Sequence, residues 1–426
     1  MKAIVDCNSF YCSCERLFQP HLNKKSVVVL SNNDGCIVSR SDEAKQLGIP
    51  MAGPYFETKN IIRENDVAVF SSNYNLYGDL SMRVMETLRM IAGKENVEVY
   101  SVDEAFVDLT SIRVEQLRKT AIAIKEIVEQ WTGISVSVGV APTKTLAKLA
   151  NHIAKKNKSL TGCVTVLVTK EEQRNALQNT RVANIWGIGG AFTNKLINLG
   201  ITNAWELATM PEQWAYYYLG GVVGSRLIKE LNGEQTIDMK EELEEKKMIA
   251  TTRMFGSPVS NINDIKEAVA TYTSRAAEKL RRQYSAAKII SVFVVKKEQN
   301  HNLNFRQGGT ISTYTTLPVA TSITQELIKP ALQLVDQLYE RGNEYKKAGV
   351  MLSGLVPDDS VQGNLFRPEI KNCERRLMEM IDNINFSQRD DILKFAASGT
   401  TKDWKMRQEL RSPRYTTRWE ELRKIR

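Results

Sequence analysis

The chain has 426 residues, 42% of them hydrophobic, so it is long enough for several domains with packed cores. No stretch approaches the roughly 20 unbroken apolar residues of a membrane-spanning helix, and the first residues, MKAIVDCNSFYCSCE, acquire charge too early for a secretory signal. We therefore expect a cytoplasmic protein that does not associate with a membrane. The net charge of +9 favours a polyanionic partner.

The cysteines and histidines argue against a structural zinc site. The six cysteines are scattered without paired CxxC spacing, and the chain has only three histidines. We expect the cysteines to be reduced thiols.

The first part of the chain alternates short apolar strands with helices. Residues 2–6, KAIVD, predict a buried strand that ends on Asp6. A helix is predicted around 113–131, and ISVSVGVA (134–141) predicts a further apolar strand.

The stretch VEVYSVDEAFVDL (97–109) predicts a hairpin. Its strands are expected at 97–102 and 105–109, with Asp103 and Glu104 at the tight bend. Adjacent side chains diverge along a straight strand but can converge at a hairpin tip. We therefore expect the two carboxylates to point toward one common partner. The alternative is that they are solvated turn residues.

The second half of the chain has a different pattern. Short helices are expected around WGIGG (186–190), and the acidic MKEELEEKK (239–247) resembles a linker. Residues 248–355 then predict β-α-β-β-α-β, a complete small sheet-and-helix domain. The tail, 356–426, holds one amphipathic helix and a basic end.

Asp6, Asp103 and Glu104 are candidate metal ligands. Carboxylates brought together repel one another, and burial adds to the cost unless cations neutralise them. Oxygen ligands without His or thiolate suit Mg²⁺. Two such ions would stabilise the attacking and leaving oxygens of an in-line phosphoryl transfer.

The helix predicted over APTKTLAKLANHIAKK (141–156) carries a row of polar side chains. Lysines at this spacing could meet a triphosphate or a nucleic-acid backbone, although a solvated helix face has the same pattern. The row consists of Lys144, Lys148, Asn151 and Lys155.

Taken together, these residues resemble the Y-family DNA polymerases, and most closely the UmuC-type branch of that family. The matching stretches are long and keep their order from end to end. They are DCNSFYCSCE (6–15), VVVLSNNDGCIVSR (27–40), FSSNYNLYGDLSMRVM (70–85), YSVDEAF (100–106), GVAPTKTLAKLANHIAKK (139–156), WGIG (186–189), RAAEKLR (275–281), YKKAGVML (345–352) and SPRYTTRW (412–419).

The resemblance implies an α+β multidomain fold, the right-hand architecture of polymerases. The expected domains are a palm (1–20 and 78–170), small fingers (21–77), a thumb with a helix–hairpin–helix (171–238), the linker (239–247), a little finger with the β-α-β-β-α-β pattern (248–355) and the C-terminal tail (356–426).

The resemblance also implies roles for the acids. Asp6, Asp103 and Glu104 fall on the family's catalytic, metal-binding carboxylates, and the Cys7 carbonyl falls on a further ligand. Glu104 is expected nearest the primer 3′-oxygen. The implied cofactor is a pair of Mg²⁺ ions.

Four residues fall on or beside dNTP-binding positions. Tyr11 matches the steric gate, whose ring crowds a ribose 2′-hydroxyl, unless it is a core aromatic next to Phe10. Phe10, next to Tyr11, is the second of the four. Lys155 is the third, and it matches a position that contacts the triphosphate. Lys45 occupies a place often held by Arg, and Asp42 stands where many relatives carry an aromatic contact.

The thumb and tail carry candidate contacts with larger partners. Gly187, Ile188 and Gly189 match the helix–hairpin–helix that grips the DNA backbone, although a plain helix-breaking turn is the alternative. QGNLF (362–366) resembles a sliding-clamp-binding peptide with Gly363 in place of the usual leucine, and a chance match is the alternative. Its expected contacts are Gln362, Leu365 and Phe366.

The function that follows from the resemblance is translesion synthesis of DNA, with low fidelity, in the SOS response, repair and mutagenesis. The implied partners are primer–template DNA, dNTP, the sliding clamp, a UmuD-type accessory dimer and RecA. Two other functions stay open. One is a cyclase-like two-metal palm enzyme that uses no template, and the other is a non-catalytic DNA-binding scaffold at stalled forks.

Overall fold

The computed structural model describes residues 1–240, 245–297, 309–363, 372–388, 392–400 and 403–422. They form two compact units. The first consists of Met1–Ser31, Gly35–Glu244 and Leu410–Arg426, and the second of Asn32–Asp34 and Glu245–Glu409. The end of the chain therefore belongs to the same unit as its beginning.

The first unit is built from strands and helices that alternate along the chain. Its strands are β1 (Lys2–Cys7), β2 (Val27–Leu30), β3 (Ile37–Arg40), β4 (Ala68–Ser71), β5 (Val97–Val99), β6 (Glu104–Asp108), β7 (Val136–Ala141) and β8 (Val164–Val166). Its α-helices are α1 (Phe10–Phe18), α2 (Asp42–Gln46), α3 (Tyr55–Glu64), α4 (Tyr74–Ala92), α5 (Leu117–Thr132), α6 (Lys144–Lys156), α7 (Lys158–Thr161), α8 (Lys170–Gln178), α9 (Gly190–Asn198), α10 (Ala204–Ala208), α11 (Glu212–Tyr218) and α12 (Val222–Leu231).

Strand β1 lies at the centre of a five-stranded sheet with the order β5-β6-β1-β7-β8. It pairs antiparallel with both β6 and β7. All of its residues are buried because helices cover both faces of the sheet. Ala3 and Val5 join a core with α4 and α5, whereas Ile4 joins the core of α6. This division follows from the alternation of side chains along a strand.

The hairpin differs from the prediction in the position of its bend. Strand β5 ends at Val99 and β6 begins at Glu104, so the turn lies before Glu104 and not at it. The backbone amides of Tyr100 and Ser101 both donate to the Glu104 carbonyl at 3.0 Å. These bonds place the turn at residues 100–103, before the predicted bend. Asp103 is thus a turn residue, while Glu104 belongs to the strand.

Gly139 on β7 allows α6 to approach the sheet closely. A Cβ atom at this position would lie 2.2 Å from the Asn151 backbone nitrogen and 2.4 Å from the Ala147 carbonyl oxygen. Only glycine permits this spacing. The close approach brings the polar side of α6 to the end of β1.

A three-stranded sheet with the order β3-β2-β4 forms a second, smaller core with α2 and α3. Helices α8 to α12 follow, and their apolar side chains pack into the same core as α6. The helices predicted around WGIGG therefore pack in the same hydrophobic core as one face of the five-stranded sheet.

The second unit contains the predicted β-α-β-β-α-β pattern, which is confirmed. Its elements are β9 (Ile249–Val259), α13 (Ile262–Arg282), β10 (Ser285–Lys296), β11 (Thr310–Thr321), α14 (Thr324–Leu338), β12 (Tyr345–Pro357) and α15 (Asn372–Ser387). The strand order is β11-β10-β12-β9, and α13 and α14 share one core with this sheet.

Helix α15 is the amphipathic helix expected in the tail. Arg281 on α13 holds it through a two-pronged contact with the Asp382 carboxylate, at 2.7 and 2.8 Å. Among the described residues, no helix combines the length and apolar content that a membrane span requires. Residues 241–244 of the predicted linker lie outside the described part of the chain.

Candidate active site

The site is centred on two carboxylates on neighbouring strands of the five-stranded sheet. Asp6, the penultimate residue of β1, is the register partner of Glu104, the first residue of β6. In an antiparallel pair the Cα atoms of such partners are about 4.5–5.5 Å apart. The two side chains are close enough that each influences the pKa of the other. Residues nearly one hundred positions apart therefore share one end of the sheet.

Two lysines of α6 compensate these carboxylates. Lys155 forms an ion pair with Asp6, and Lys148 donates to both oxygens of Glu104 at 3.0 and 3.1 Å. The seven-residue interval between the lysines is two helical turns, so both lie on one face of α6. This face is turned toward the carboxylates.

The two carboxylates differ in their affinity for a proton. Burial raises the pKa of Asp6 to about 7, although the Lys155 ammonium opposes this change. Burial also acts to raise the pKa of Glu104, but hydrogen bonds from Asp6 and Lys148 outweigh it, and the net pKa is lowered. The surroundings therefore favour a proton on Asp6 over a proton on Glu104.

Asp103 lies next to the pair without joining it. Its carbonyl oxygen accepts a hydrogen bond from the Cys7 amide at 2.8 Å, which holds the turn against the end of β1. Its carboxylate instead accepts a bond from the Ser101 hydroxyl at 2.6 Å. Within the described ranges, no three acidic, His or Cys side chains are arranged to hold a metal ion.

The chemistry of the donors nevertheless fits divalent magnesium. The groups that converge are carboxylate oxygens, and two ammonium groups already supply positive charge at the same place. Rotation of the Asp103 side chain away from Ser101 would be needed to add the third carboxylate. Burial raises the pKa of the Cys7 thiol, so the thiol stays protonated and only its carbonyl is a candidate ligand.

Tyr11 lies on α1, just after the end of β1, and packs among other aromatic rings. Its ring stacks on that of Tyr77 with centroids 4.5 Å apart and meets the edge of Tyr74 at 6.1 Å. Tyr11 is partly exposed, whereas Phe10 is 3% exposed and belongs to the core. The Phe10 ring is therefore inaccessible to a nucleotide, and any contact would involve its backbone.

The other lysines predicted for the triphosphate have different surroundings. Lys45 is exposed on α2, where its ammonium contacts Asp42 at 2.7 Å and the Ser9 hydroxyl at 3.3 Å. Ser9 directly precedes α1, so Lys45 lies beside the start of that helix. Lys144, by contrast, is buried and forms an ion pair with Glu98. It does not belong to an exposed lysine row.

An aromatic cage around Lys148 was not predicted. Its ammonium lies 4.3 Å from the ring centre of Tyr100, 5.4 Å from that of Trp186 and 6.0 Å from that of Phe106. The Trp186 indole nitrogen also donates to the Tyr100 hydroxyl at 3.2 Å. Aromatic residues on both sides of the acidic turn, together with the tryptophan of WGIG, were the available signal in the sequence.

The predicted contacts with larger partners are only partly described. Gly187 has φ of +92°, which favours glycine, and Gly189 directly precedes α9. Ile188 is buried and its amide donates to the Ile185 carbonyl at 3.0 Å, so that amide is already used.

Of the clamp-peptide residues, Gln362 is exposed and lies outside any helix or strand. Leu365 and Phe366 lie outside the described residues.

Family models match three parts of the chain. Residues 5–152 match the impB/mucB/samB family, 246–365 match the C-terminal domain of that family, and 375–425 match a domain of unknown function. Together these matches extend across both units.

Full-length relatives are similar to the chain from end to end. It is 40% identical over 427 residues to Protein UmuC of Salmonella typhimurium strain LT2, a match that covers 100% of both chains. It is 27% identical over 363 residues to DNA polymerase IV of Brucella melitensis biotype 1, which covers 84% of this chain and 76% of that protein.

A solved Y-family DNA polymerase chimera has the same fold, with a TM-score of 0.67 at 22% identity, over 84% of this chain and 99% of the chimera. This similarity confirms the α+β right-hand polymerase fold. The extent of the match to UmuC is decisive for membership: the chain belongs to the impB/mucB/samB family, the UmuC-type Y-family DNA polymerases.

Proposed function

We propose that this translesion DNA polymerase performs nucleotidyl transfer at the end of β1, with Asp6, Asp103 and Glu104 as the ligands of two Mg²⁺ ions. Y-family polymerases generally use divalent metal ions. The observation that carries the assignment is the register pair of Asp6 and Glu104, with Lys155 and Lys148 as their counter-charges. A partly buried pair of acids that already attracts two cations is a site suited to positive charge.

In the reaction, the primer 3′-oxygen attacks the α-phosphorus of the dNTP, and pyrophosphate leaves. Bound Mg²⁺ supplies charge stabilisation for the attacking and leaving oxygens. Glu104, which stays ionised beside Lys148, is the carboxylate nearest the primer terminus in this assignment. Bound divalent cations would favour the ionised form of Asp6, because added positive charge lowers the pKa of a neighbouring carboxyl group.

The lysines and aromatic residues have separate roles in this proposal. Lys155 exchanges its contact with Asp6 for one with the triphosphate, and Lys45 reaches the triphosphate from α2. Lys148 is held in its aromatic cage and orients Glu104. Tyr11, braced by Tyr77, excludes a nucleotide that carries a 2′-hydroxyl.

The domain roles are proposed with the boundaries predicted from the sequence. The five-stranded sheet supports a palm at 1–20 and 78–170, and the three-stranded sheet supports fingers at 21–77. Helices α8 to α12 support a thumb at 171–238. In this assignment Gly187 and Gly189, which have open space where a side chain would project, bring backbone N–H groups to DNA phosphates.

Primer extension tests the central proposal and separates it from the two other functions. With primer–template DNA, dNTP and Mg²⁺, we expect extension that EDTA abolishes and excess Mg²⁺ restores. A cyclase-like enzyme would consume nucleotides without a template. A scaffold would bind the DNA without incorporating a nucleotide, and either result would contradict the proposal.

We also propose the sliding clamp, a UmuD-type dimer and RecA as protein partners. Exposed Gln362 supports a clamp contact. Adding each partner separately to the extension reaction should increase the length or the rate of synthesis. Replacing Leu365 and Phe366 together by alanine should remove only the effect of the clamp, and persistence of that effect would reject the QGNLF assignment.

A further inference from the structure

Leu410 and Arg411 of the tail extend the edge of the three-stranded sheet. Strand β4 is an edge strand, and its final residue, Ser71, exchanges hydrogen bonds with Leu410. The Ser71 amide donates to the Leu410 carbonyl at 3.0 Å, and the Leu410 amide donates to the Ser71 hydroxyl at 2.9 Å. Ser71 also forms a parallel bridge with Arg411. The tail is therefore joined to the first unit through backbone pairing.

The next two residues bind the N-terminus of α4. The side-chain amide of Asn73, the N-cap residue of α4, donates to the Ser412 carbonyl at 2.9 Å and lies 3.2 Å from that of Pro413. It also donates to the Ser412 hydroxyl at 3.0 Å. Asn73 is 1% exposed and Ser412 is 5% exposed, so these bonds are shielded from water.

Ser412 then connects to a buried carboxylate on α1. Its hydroxyl donates to Oε1 of Glu15 at 3.0 Å, and the Tyr77 hydroxyl donates to the same oxygen at 2.6 Å. Burial raises the pKa of Glu15 to about 7, whereas the hydrogen bonds from Tyr77 and Ser412 oppose that rise. Burial also raises the pKa of Tyr77, so its phenol stays protonated and remains a donor.

This network lies directly behind the ring proposed as the steric gate. Tyr77 donates to Glu15 through its hydroxyl and stacks on Tyr11 through its ring, with the planes 14° apart. At the far end of α1, Phe18 stacks on Tyr415 with centroids 4.7 Å apart. The tail thus contacts α1, the helix of Tyr11, at two places, and it reaches Tyr11 itself through two intermediate residues, Glu15 and Tyr77.

We propose that residues 410–415 are a structural part of the nucleotide site, and that Ser412 is a positioning residue for Tyr11. Through Glu15, Ser412 fixes the Tyr77 hydroxyl, and Tyr77 fixes the plane of the Tyr11 ring. The inference rests on the proposed role of Tyr11 as steric gate. It assigns a role in sugar selection to a segment within a region whose family model is described only as of unknown function.

Energetically, the Ser412 hydroxyl is difficult to replace. It is both an acceptor from Asn73 and a donor to Glu15, so its removal leaves two buried polar groups with one partner fewer. Groups of this kind rearrange to recover a partner. If Glu15 moves, the hydrogen bond from the Tyr77 hydroxyl to its carboxylate is lost. The Tyr77 ring can then tilt, and it no longer holds the stacked Tyr11 ring in one position.

The test is the ratio of kcat/KM for a dNTP to kcat/KM for the matching rNTP, measured by single-nucleotide insertion with the full-length chain. We expect Ser412→Ala and, separately, Tyr77→Phe to lower this ratio by about three- to tenfold, the effect of losing one buried hydrogen bond. Ser111→Ala, an exposed serine of the same unit, is the matched control and should leave the ratio unchanged.

The ratio distinguishes positioning from a loss of folded protein. A smaller active fraction lowers incorporation of both nucleotides equally and leaves the ratio constant. An unchanged ratio in Ser412→Ala, with a reduced ratio in Tyr11→Ala, overturns the role of Ser412 and leaves the steric gate intact, whatever the result for Tyr77→Phe. An unchanged ratio in Tyr11→Ala overturns the steric gate and this inference with it.

Discussion

Replacing Asp103 by alanine should lower the rate of primer extension by about 1,000-fold or more, the scale expected when a group that stabilises transition-state charge is lost. The physical reason is that the proposed metal site loses one of its carboxylate ligands. The measurement is single-turnover incorporation of one correct dNTP in saturating Mg²⁺.

Asp103 suits this test better than Asp6 does. Among the residues that the structure describes, the hydrogen-bond partner of the Asp103 carboxylate is the nearby Ser101, so its removal should leave the folded structure intact. Loss of Asp6 would also leave the Lys155 ammonium without its counter-charge.

Glu126→Ala is the matched control, because Glu126 is an exposed acid on α5. It should extend primers at the wild-type rate. An Asp103→Ala protein with unaltered extension and an unaltered melting temperature would reject Asp103 as a metal ligand. The Asp6–Glu104 pair would then have to act without it.

Replacing Tyr11 by alanine should lower the preference for dNTP over rNTP by about 100-fold, on the scale at which a pocket can reject one additional hydroxyl. In the proposed site, the aromatic ring takes up the space that a 2′-hydroxyl would need, and the stack with Tyr77 limits its rotation. Single-nucleotide insertion with paired dNTP and rNTP substrates measures the effect.

Tyr11→Phe is the matched control for this prediction, because it keeps the ring and removes only the hydroxyl. If the ring acts sterically, the phenylalanine variant keeps the preference for dNTP and the alanine variant loses it. Equal loss in both variants would show that the phenol hydroxyl, and not the bulk of the ring, makes the selection. An unaltered preference in both would reject Tyr11 as the gate.

Much of this architecture could be predicted from local patterns. The β-α-β-β-α-β order of residues 248–355 was apparent because strand and helix periodicities alternate there without interruption. The strand predicted at residues 2–6 was equally clear from the apolar run before Asp6, and in the structure it continues one residue further, to Cys7. The hairpin was predicted with its bend about two residues too late, because bend position depends on which amides reach the Glu104 carbonyl.

The lysines of α6 show where a local pattern is insufficient. Periodicity placed Lys144, Lys148 and Lys155 on the polar side of one helix. The tertiary structure separates them, since Lys144 is buried against Glu98 while Lys148 and Lys155 reach Glu104 and Asp6. Helical spacing describes which side chains share a face, but the partner of each side chain depends on which strand lies beneath it.

The amino-acid sequence by itself determined the elements, the family and the identity of the acids, because these depend on periodicity and on contiguous motifs. Only the tertiary structure decided which groups meet: Glu104 opposite Asp6, the aromatic cage around Lys148, and Ser412 bonded to Glu15 from 397 residues away. Such contacts depend on sheet order and on the return of the chain to the first unit. No local pattern encodes either of them, since their stabilisation comes from burial shared among segments that are distant in the chain.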